Sequence, residues 1–330
     1  MVNLKNMSAP TNLTIRPFRP GDHLPLVALW NRCLHKDPIT PERFWQLFLL
    51  DENFDPDGAL IVENGDGAMI GFLQAMVRKV PYGNAALQPE QGWFTVFFVD
   101  HAHRRQGVGT ALLTRGMAFL RQKGCRQVGC SGYSPYYIFP GVDEDYGAAR
   151  AFLSARGFTP SAPAVAMGLP LEGVSTPPAI IERRATLAAE EIVVRPFERA
   201  DTLPLFDFAD AHYLHWTPSL RDSLQRANTD ILVTVRGPQE QTEILAYAQW
   251  QNPHNDPPRG APGRFGPFGV HPDWRGQGIG AVVFYAMIER ALGNGSRYLW
   301  FGWAGGRNLS FYERAGCKVT RRFQLYQAML

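Results

Sequence analysis

Three short patterns occur twice in this chain, in the same order, and an internal repeat of that kind decides the architecture before any single motif is read. Arg16-Pro17-Phe18 with Asp22-His23-Leu24-Pro25-Leu26 returns 179 residues later as Arg195-Pro196-Phe197 with Asp201-Thr202-Leu203-Pro204-Leu205. Arg104-Arg105-Gln106-Gly107-Val108-Gly109 returns 171 residues later as Arg275-Gly276-Gln277-Gly278-Ile279-Gly280. Phe152-Leu153-Ser154-Ala155-Arg156-Gly157-Phe158 returns 159 residues later as Phe311-Tyr312-Glu313-Arg314-Ala315-Gly316-Cys317. A duplicated domain follows, and the 330 residues are about twice the length of a typical single domain. The expected domains are 1–170 and 191–330. The linker, 171–190, holds Ser175-Thr176-Pro177-Pro178 and opens the run of good helix formers from Ala179 to Glu191.

The shrinking offset shows where the copies differ. The first copy is longer by 8 residues before its glycine motif and by 12 after it, and most of the second excess falls in the aromatic, turn-rich insert from Tyr133 to Asp143. Otherwise the coarse reading is the same in both. A short strand with an edge-type proline (Leu13 to Phe18; Ile192 to Phe197) precedes a helix for which Asp22 or Asp201 is the expected N-cap. A second helical stretch, two strands, the apolar motif strand and the motif helix follow. Those helices end at Gly124 and at Gly293-Asn294-Gly295, where glycine supplies a left-handed C-cap. A further strand, a short helix and closing strands complete each copy.

A strand that feeds a glycine-rich turn opening a helix is an anion site. The first helical N–H groups have no partner in the chain, and the helix dipole favours negative charge there. The geometry suits a pyrophosphate. A dinucleotide-binding turn is a weaker fit for three reasons. A basic residue stands where that fingerprint has its first glycine, the motif sits mid-domain, and no acidic residue ends a following strand at the required spacing.

The two segments Val99-Asp100-His101-Ala102-His103-Arg104-Arg105-Gln106-Gly107-Val108-Gly109-Thr110 and Val270-His271-Pro272-Asp273-Trp274-Arg275-Gly276-Gln277-Gly278-Ile279-Gly280-Ala281 resemble the pyrophosphate-binding motif of the GNAT superfamily of acetyl-CoA-dependent N-acetyltransferases. The resemblance covers nearly the whole chain twice. It implies a mixed α/β fold: two tandem domains, each a mixed, mostly antiparallel twisted sheet flanked by helices. It implies acetyl-CoA as co-substrate, with its pyrophosphate on the backbone N–H groups of Arg105, Gln106, Gly107, Val108, Gly109 and Thr110, and equally of Gly276, Gln277, Gly278, Ile279, Gly280 and Ala281. Arg104 and Arg275 open these turns. The pantetheine arm would pair like an added strand with Phe97, Phe98 and Val99, or with Phe268, Gly269 and Val270. Gly266-Pro267 in the second motif strand departs from what a central strand tolerates.

In the same family a tyrosine of the helix after the fifth strand commonly protonates the departing thiolate. Tyr312 stands at that position and Leu153 at its counterpart, so the resemblance points to the second copy as catalytic. Asn308 is either a helix N-cap or a cofactor contact, since Gly305 occupies the family's usual asparagine position. Neither motif strand carries the glutamate many relatives use as base. Glu243 and His254 are surface candidates, and His212, His215 and Trp216 lie where the family borders its acceptor pocket. In the first copy Tyr136 or Tyr137 could replace the missing acid, and Asp143, Glu144 and Asp145 could receive a cationic amine.

Other classes are disfavoured. With 33 Lys+Arg against 30 Asp+Glu, scattered along the chain, the formal charge is only +3, and nucleic acid is not an expected partner. Met1 to Thr14 lacks the apolar core of a signal peptide and no run is long enough to cross a bilayer, so a cytoplasmic protein off the membrane is expected. Cys33, Cys125, Cys130 and Cys317 show no C-x-x-C spacing, which disfavours a metal site or a disulfide framework. The expectation is acetyl transfer to a primary amine of a small molecule or peptide, by direct attack in a ternary complex, in a monomer or homodimer. The alternatives are a non-catalytic acyl-CoA-binding regulator and an aminoacyl transferase on the same fold.

Overall fold

A computed structural model describes residues 13–81, 86–133, 138–225, 229–237, 242–251, 263–306 and 308–330. The chain divides into two compact units. The first takes Met1–Pro81, Ala86–Val165 and Arg321–Leu330, and the second takes Ala166–Thr320 with Tyr82–Ala85.

In the first unit the strands are β1 (Thr14–Pro17), β2 (Ala59–Glu63), β3 (Met69–Val77), β4 (Gln91–Val99), β5 (Gln127–Cys130) and β6 (Val142–Asp143). β7 (Thr159–Pro170) leaves this unit after Val165. The helices are α1 (His23–Cys33), α2 (Pro41–Phe44), α3 (Val108–Gln122) and α4 (Gly147–Ser154). β1 to β4 pair antiparallel in chain order and β4 pairs β5 in parallel. β5 is then flanked antiparallel, with Cys130 opposite Tyr326, by the last strand of the chain.

Strand alternation sends successive side chains to opposite faces, and both faces are covered. Leu60, Val62, Ile70 and Leu73 pack on Leu112, Leu113, Met117 and Leu120 of α3. Ala59, Ile61, Phe72 and Phe98 pack with Leu26, Leu29 and Trp30 of α1 and with Phe44 and Phe48. Gly116 lets α3 lie close on the sheet, since a Cβ there would come 2.8 Å from Leu73 Cδ2.

The second unit repeats the plan with α5 (Pro178–Ala189), β8 (Ile192–Pro196), α6 (Thr202–His212), α7 (Thr217–Gln225), β9 (Thr229–Arg236), β10 (Glu243–Gln251), β11 (Arg264–Val270), α8 (Ile279–Gly293), β12 (Tyr298–Ala304) and α9 (Asn308–Arg314). Its strands run β8-β9-β10-β11-β12, with the second half of β7 beyond β12. Only β11–β12 among the pairs β8 to β12 is parallel. The final strand, β13 (Lys318–Met329), begins in this unit and passes at Arg321 into the first.

Asp22 and Asp201 stand at the N-cap positions of α1 and α6, but neither side chain caps its helix. Each carboxylate instead takes a bidentate fork from the arginine six residues earlier. Arg16 reaches Asp22 at 2.6 and 3.0 Å, and Arg195 reaches Asp201 at 2.6 and 2.7 Å. The same carboxylates also accept the backbone N–H three residues earlier, from Arg19 and from Glu198, so each fixes the turn before its helix as well as the arginine. The Arg-Pro-Phe repeat is therefore a clamp that pins the first strand to the first helix in both copies.

The Arg195 bond, against the opposing effect of burial, holds Asp201 below its ordinary value of 3.8. A lowered folded pKa stabilises above the unfolded value and the contribution fades as pH falls through the folded one. Arg195→Met is therefore expected to cost about 2 kcal/mol at neutral pH, and less near pH 3, in urea unfolding monitored by circular dichroism.

Candidate functional site

Both copies open their sheet at the same place by the same means. β4 pairs β5 only over Gln91–Trp93, and its register against β3 slips between Gln74 and Ala75, so that Thr95 bulges. β11 pairs β12 only at Arg264, and its register against β10 slips between Ala248 and Trp250. A bulge bends its strand and ends pairing, so the β4 stretch beyond Trp93 and the β11 stretch beyond Arg264 run without a partner on that side among the described residues. The slip accounts for Gly266-Pro267, joined by a cis peptide. Proline is tolerated at a bulge, where its missing N–H disrupts no ladder.

The glycine turns follow. Gly107 (φ 85°) and Gly278 (φ 82°) sit left-handed at the N-caps of α3 and α8, a conformation that disfavours a Cβ. Val108 and Ile279 are buried and anchor each turn in the core. Gln106 and Gln277 each donate 3.1 Å back to a carbonyl four residues earlier, and Arg104 and Arg275 donate to the strand-end carbonyls of Val99 and Val270. These side chains shape the turns and leave the backbone N–H groups for a ligand.

Beyond the turns the copies diverge. In the first unit a cavity of about 830 Å³ is lined by β4 from Phe94 to Val99, by Arg104, Arg105, Gly107, Gly109 and Thr110, by Cys130 and Ser131, and by the first turn of α4. One end is cationic. Arg156 lies 3.8 Å over the Phe152 ring and donates to Thr110 Oγ1 at 2.5 Å. Burial, then the neighbouring charge of Arg105, lowers its pKa. Among the described residues neither Arg105 nor Arg156 meets a carboxylate, so the two cations await an anion.

The cavity wall also carries Asp37, Asp143, Tyr146 and Arg321. Arg321 forks onto both oxygens of Asp37 at 2.6 and 2.8 Å and reaches Asp143 Oδ2 through Nε at 2.8 Å and Nη2 at 2.7 Å. Asp37 and Asp143 are 5% and 4% exposed, so these are buried ions. Lys36 adds a contact to Asp143 and a tighter one to Asp145. Burial raises Asp143, but the Asp145 N–H and Arg321 outweigh it and hold the carboxyl below its ordinary value. The hydroxyls of Thr95 and Tyr146 are buried without a hydrogen-bond partner among the described residues.

In the second unit the equivalent of Arg105 is Gly276 and that of Arg156 is Ala315. The second turn is instead covered from α5. Arg183 Nε donates to Gln277 O at 2.8 Å, and a Cβ on Gly278 would come 3.0 Å from Arg183 Cγ. Gly269 and Val270 lie against the segment that follows α6, where Tyr213 donates to Val270 O at 2.5 Å and stacks on Trp216 at 4.3 Å, while the Phe268 ring lies 6.0 Å from that of Phe311 in α9. His212 and His271 lie ring to ring at 4.3 Å, and burial and then the His271 charge lower the pKa of His212.

Tyr312 is 9% exposed, its ring enclosed by Phe265, Phe284, Phe301 and Phe311, and burial pushes its pKa up. Gly280 and Ala281 fall in the first turn of α8, and Asn308 is exposed at the start of α9. Glu243 opens β10 and is exposed. Tyr136, Tyr137 and His254 lie outside the described residues. Sequence reasoning missed Asp37, Tyr146, Arg156 and Arg321. For Arg156 a signal existed, a cation in the third repeat anchor where the second copy has alanine.

A bulged, splayed strand over a glycine turn, built twice in a mixed α/β sheet, defines a class of folds that receive an extended ligand with an anionic end. The sequence profile of the acetyltransferase (GNAT) family matches residues 24–158 and 194–317, and the chain belongs to that family. Among solved structures it is similar to the GCN5-related glucosamine N-acetyltransferase region of a fungal multi-domain GH3 β-N-acetylglucosaminidase, with 20% identity and a TM-score of 0.81. That match covers 98% of this chain but only 39% of the fungal one. It is also similar to a GCN5-related N-acetyltransferase from Sphaerobacter thermophilus (19% identity, TM-score 0.67, 98% and 97% of the two chains). A tandem GNAT protein from the clavulanic acid biosynthesis pathway aligns with 16% identity and a TM-score of 0.64, over 96% and 98% of the two chains. Among curated proteins no sequence matches significantly. No described helix is long and apolar enough to cross a membrane.

Proposed function

We propose that this chain is an acetyl-CoA-dependent N-acetyltransferase acting on a primary amine, and that the first copy holds the thioester and the acceptor. The observation that carries the reading is the cavity of about 830 Å³ beside the first glycine turn. Arg105 and Arg156, which meet no carboxylate among the described residues, fit phosphates, the β4 edge beyond Trp93 fits a pantetheine arm, and the buried carboxylate of Asp37 fits a cationic acceptor. Bound acetyl-CoA would supply the activated acyl group. The chain's own part is to bind the phosphates at Arg105, Arg156 and the turn N–H groups, and to hold the amine and thioester together, which removes most of the entropic cost of their meeting. That the fungal neighbour's name specifies glucosamine N-acetylation supports an amine acceptor.

This reading places turnover in the first copy, whereas the sequence pointed to the second through Tyr312. A tyrosine enclosed by four phenylalanines is accounted for by packing alone. The test is release of free CoA from acetyl-CoA with a panel of primary amines, with the acetylated product identified by mass spectrometry. Amine-dependent turnover that survives Tyr312→Phe supports the reading, and turnover abolished by that change in a folded protein returns the chemistry to the second copy.

Because Arg183 lies on the second turn, calorimetric titration with CoA is expected to give one site per chain, and Arg183→Ala to expose a second. Two equal sites in the unaltered protein would contradict this.

A further inference from the structure

We propose, building on the reading of the first copy as an amine acetyltransferase, that its cavity selects a hydroxylated primary amine, with Tyr146 meeting the hydroxyl and Arg321 positioning Asp37 for the amine.

Asp37, Asp143, Tyr146 and Arg321 share one wall, and their bonding divides the roles. Asp143 has about four acceptor places. Arg321 Nε and Nη2 fill two on Oδ2, and the Asp145 N–H and Lys36 fill two on Oδ1. Nothing of Asp143 is left for a substrate, so its work is to hold Arg321. Arg321 in turn presents Nη1 and Nη2 to the two oxygens of Asp37. A bidentate fork fixes the plane of a carboxylate, and Asp37 is thereby held in one orientation against the cavity.

A buried ion group of this kind is a poor source of stability compared with apolar side chains of the same volume. Its place on a cavity wall makes recognition the better account. Counting Asp37, Asp143 and Asp145 against Arg321 and Lys36 leaves one negative charge, which favours an ammonium group and disfavours an acidic substrate.

The carboxylates do not carry the argument alone. Tyr146 lines the same cavity, and its hydroxyl is buried with no hydrogen-bond partner among the described residues. A buried polar group left unsatisfied is costly, and in this reading a ligand polar group is the partner it meets. Burial, then the charges of Asp37 and Asp143, raise its pKa, so it is a protonated donor at neutral pH. The carboxylates that shift it also place it with the amine-recognising groups, and an oxygen neighbouring the amine is what it would meet.

The test uses the full chain, acetyl-CoA and two probes, D-glucosamine and cyclohexylamine, which share a ring-borne amine but not the hydroxyls. Each variant is compared with the unaltered protein on the same probe, so the differing basicity of the amines cancels. Tyr146→Phe is expected to raise the KM for glucosamine about 10-fold, with kcat, cyclohexylamine turnover and CoA affinity unchanged. Asp37→Asn and Arg321→Lys are expected to raise KM for both amines about 10-fold, again with CoA affinity intact. Arg321→Lys keeps the charge, so the fold survives while the fork is lost. An equal loss on both probes in Tyr146→Phe, or no turnover of either by a protein that binds CoA, overturns the inference. A protein that does not bind CoA at all overturns the underlying reading instead.

Discussion

Arg321→Met is expected to destabilise the protein by about 3 kcal/mol at neutral pH, the largest effect of any single substitution outside the apolar core. The guanidinium neutralises two carboxylates that are 5% and 4% exposed, and methionine would remove the fork on Asp37 and both Arg321 contacts on Asp143 while the two charges stay buried. The pH dependence identifies the cause. In the unaltered protein Asp143 titrates below its ordinary value, so its contribution to stability is present above that value and fades as pH falls through the folded one. In the variant the same buried carboxylates are a liability while charged, and protonation relieves it. The deficit should therefore be greatest near pH 7 and shrink as pH falls towards 3, measured as the shift in urea midpoint against pH. A deficit independent of pH would mean that Arg321 acts through packing of its stem on Phe323, over whose ring the guanidinium lies at 4.8 Å.

Gly107→Val should weaken CoA binding at least about 100-fold, whereas Gly278→Val should change it less than about twofold. Both glycines are left-handed N-caps, and a β-branched residue in that conformation costs about 1–2 kcal/mol in either copy. Gly278→Val must also displace Arg183, whose Cγ lies 3.0 Å from a Cβ placed there, but the backbone strain of the two variants should be alike. The binding losses should not, because the first turn lines the cavity with Arg105 and Arg156 beside it, and the second lies beneath Arg183. Calorimetry of the two variants separates these effects, since the unfolding midpoints report the strain and the titrations report the site. Equal binding losses would show that both turns hold CoA.

Much of the molecule was legible because its signals are local. The motif strands, the left-handed glycines and the helices they open follow from sequence spacings of a few residues, and so does a helix read from Ala179 onward, which is Pro178–Ala189 and belongs to the second unit. The repeat was legible because duplicated segments keep their order. Two readings were only half available. Asp22 and Asp201 stand at helix starts, but whether a carboxylate caps a helix or takes an arginine fork depends on where the preceding strand brings Arg16 or Arg195. Gly266-Pro267 looked foreign to a strand until the register slip against β10 made room for it.

The asymmetry between the copies was read from one residue, Tyr312, whose identity alone leaves its role open for a physical reason. A tyrosine at a helical position can be an acid or a piece of core, and only its neighbours decide; Tyr312 is surrounded by phenylalanine rings. The second turn likewise carries the full local pattern, and its cover by Arg183 comes from 94 residues away.

The sequence by itself determined that this chain is a tandem GNAT protein with two glycine turns shaped for an anion, because each turn is built from consecutive residues whose backbone needs are written in their identities. Tertiary structure alone decided that the first turn opens on a cavity and what stands across from it. Arg321 and Asp37 are 284 residues apart in the chain, and Arg156 meets Thr110 across 46. No periodicity marks such pairs. The last strand, beside β5, brings Arg321 to the first copy's wall, and that placement follows from how the sheet closes rather than from any pattern in the chain.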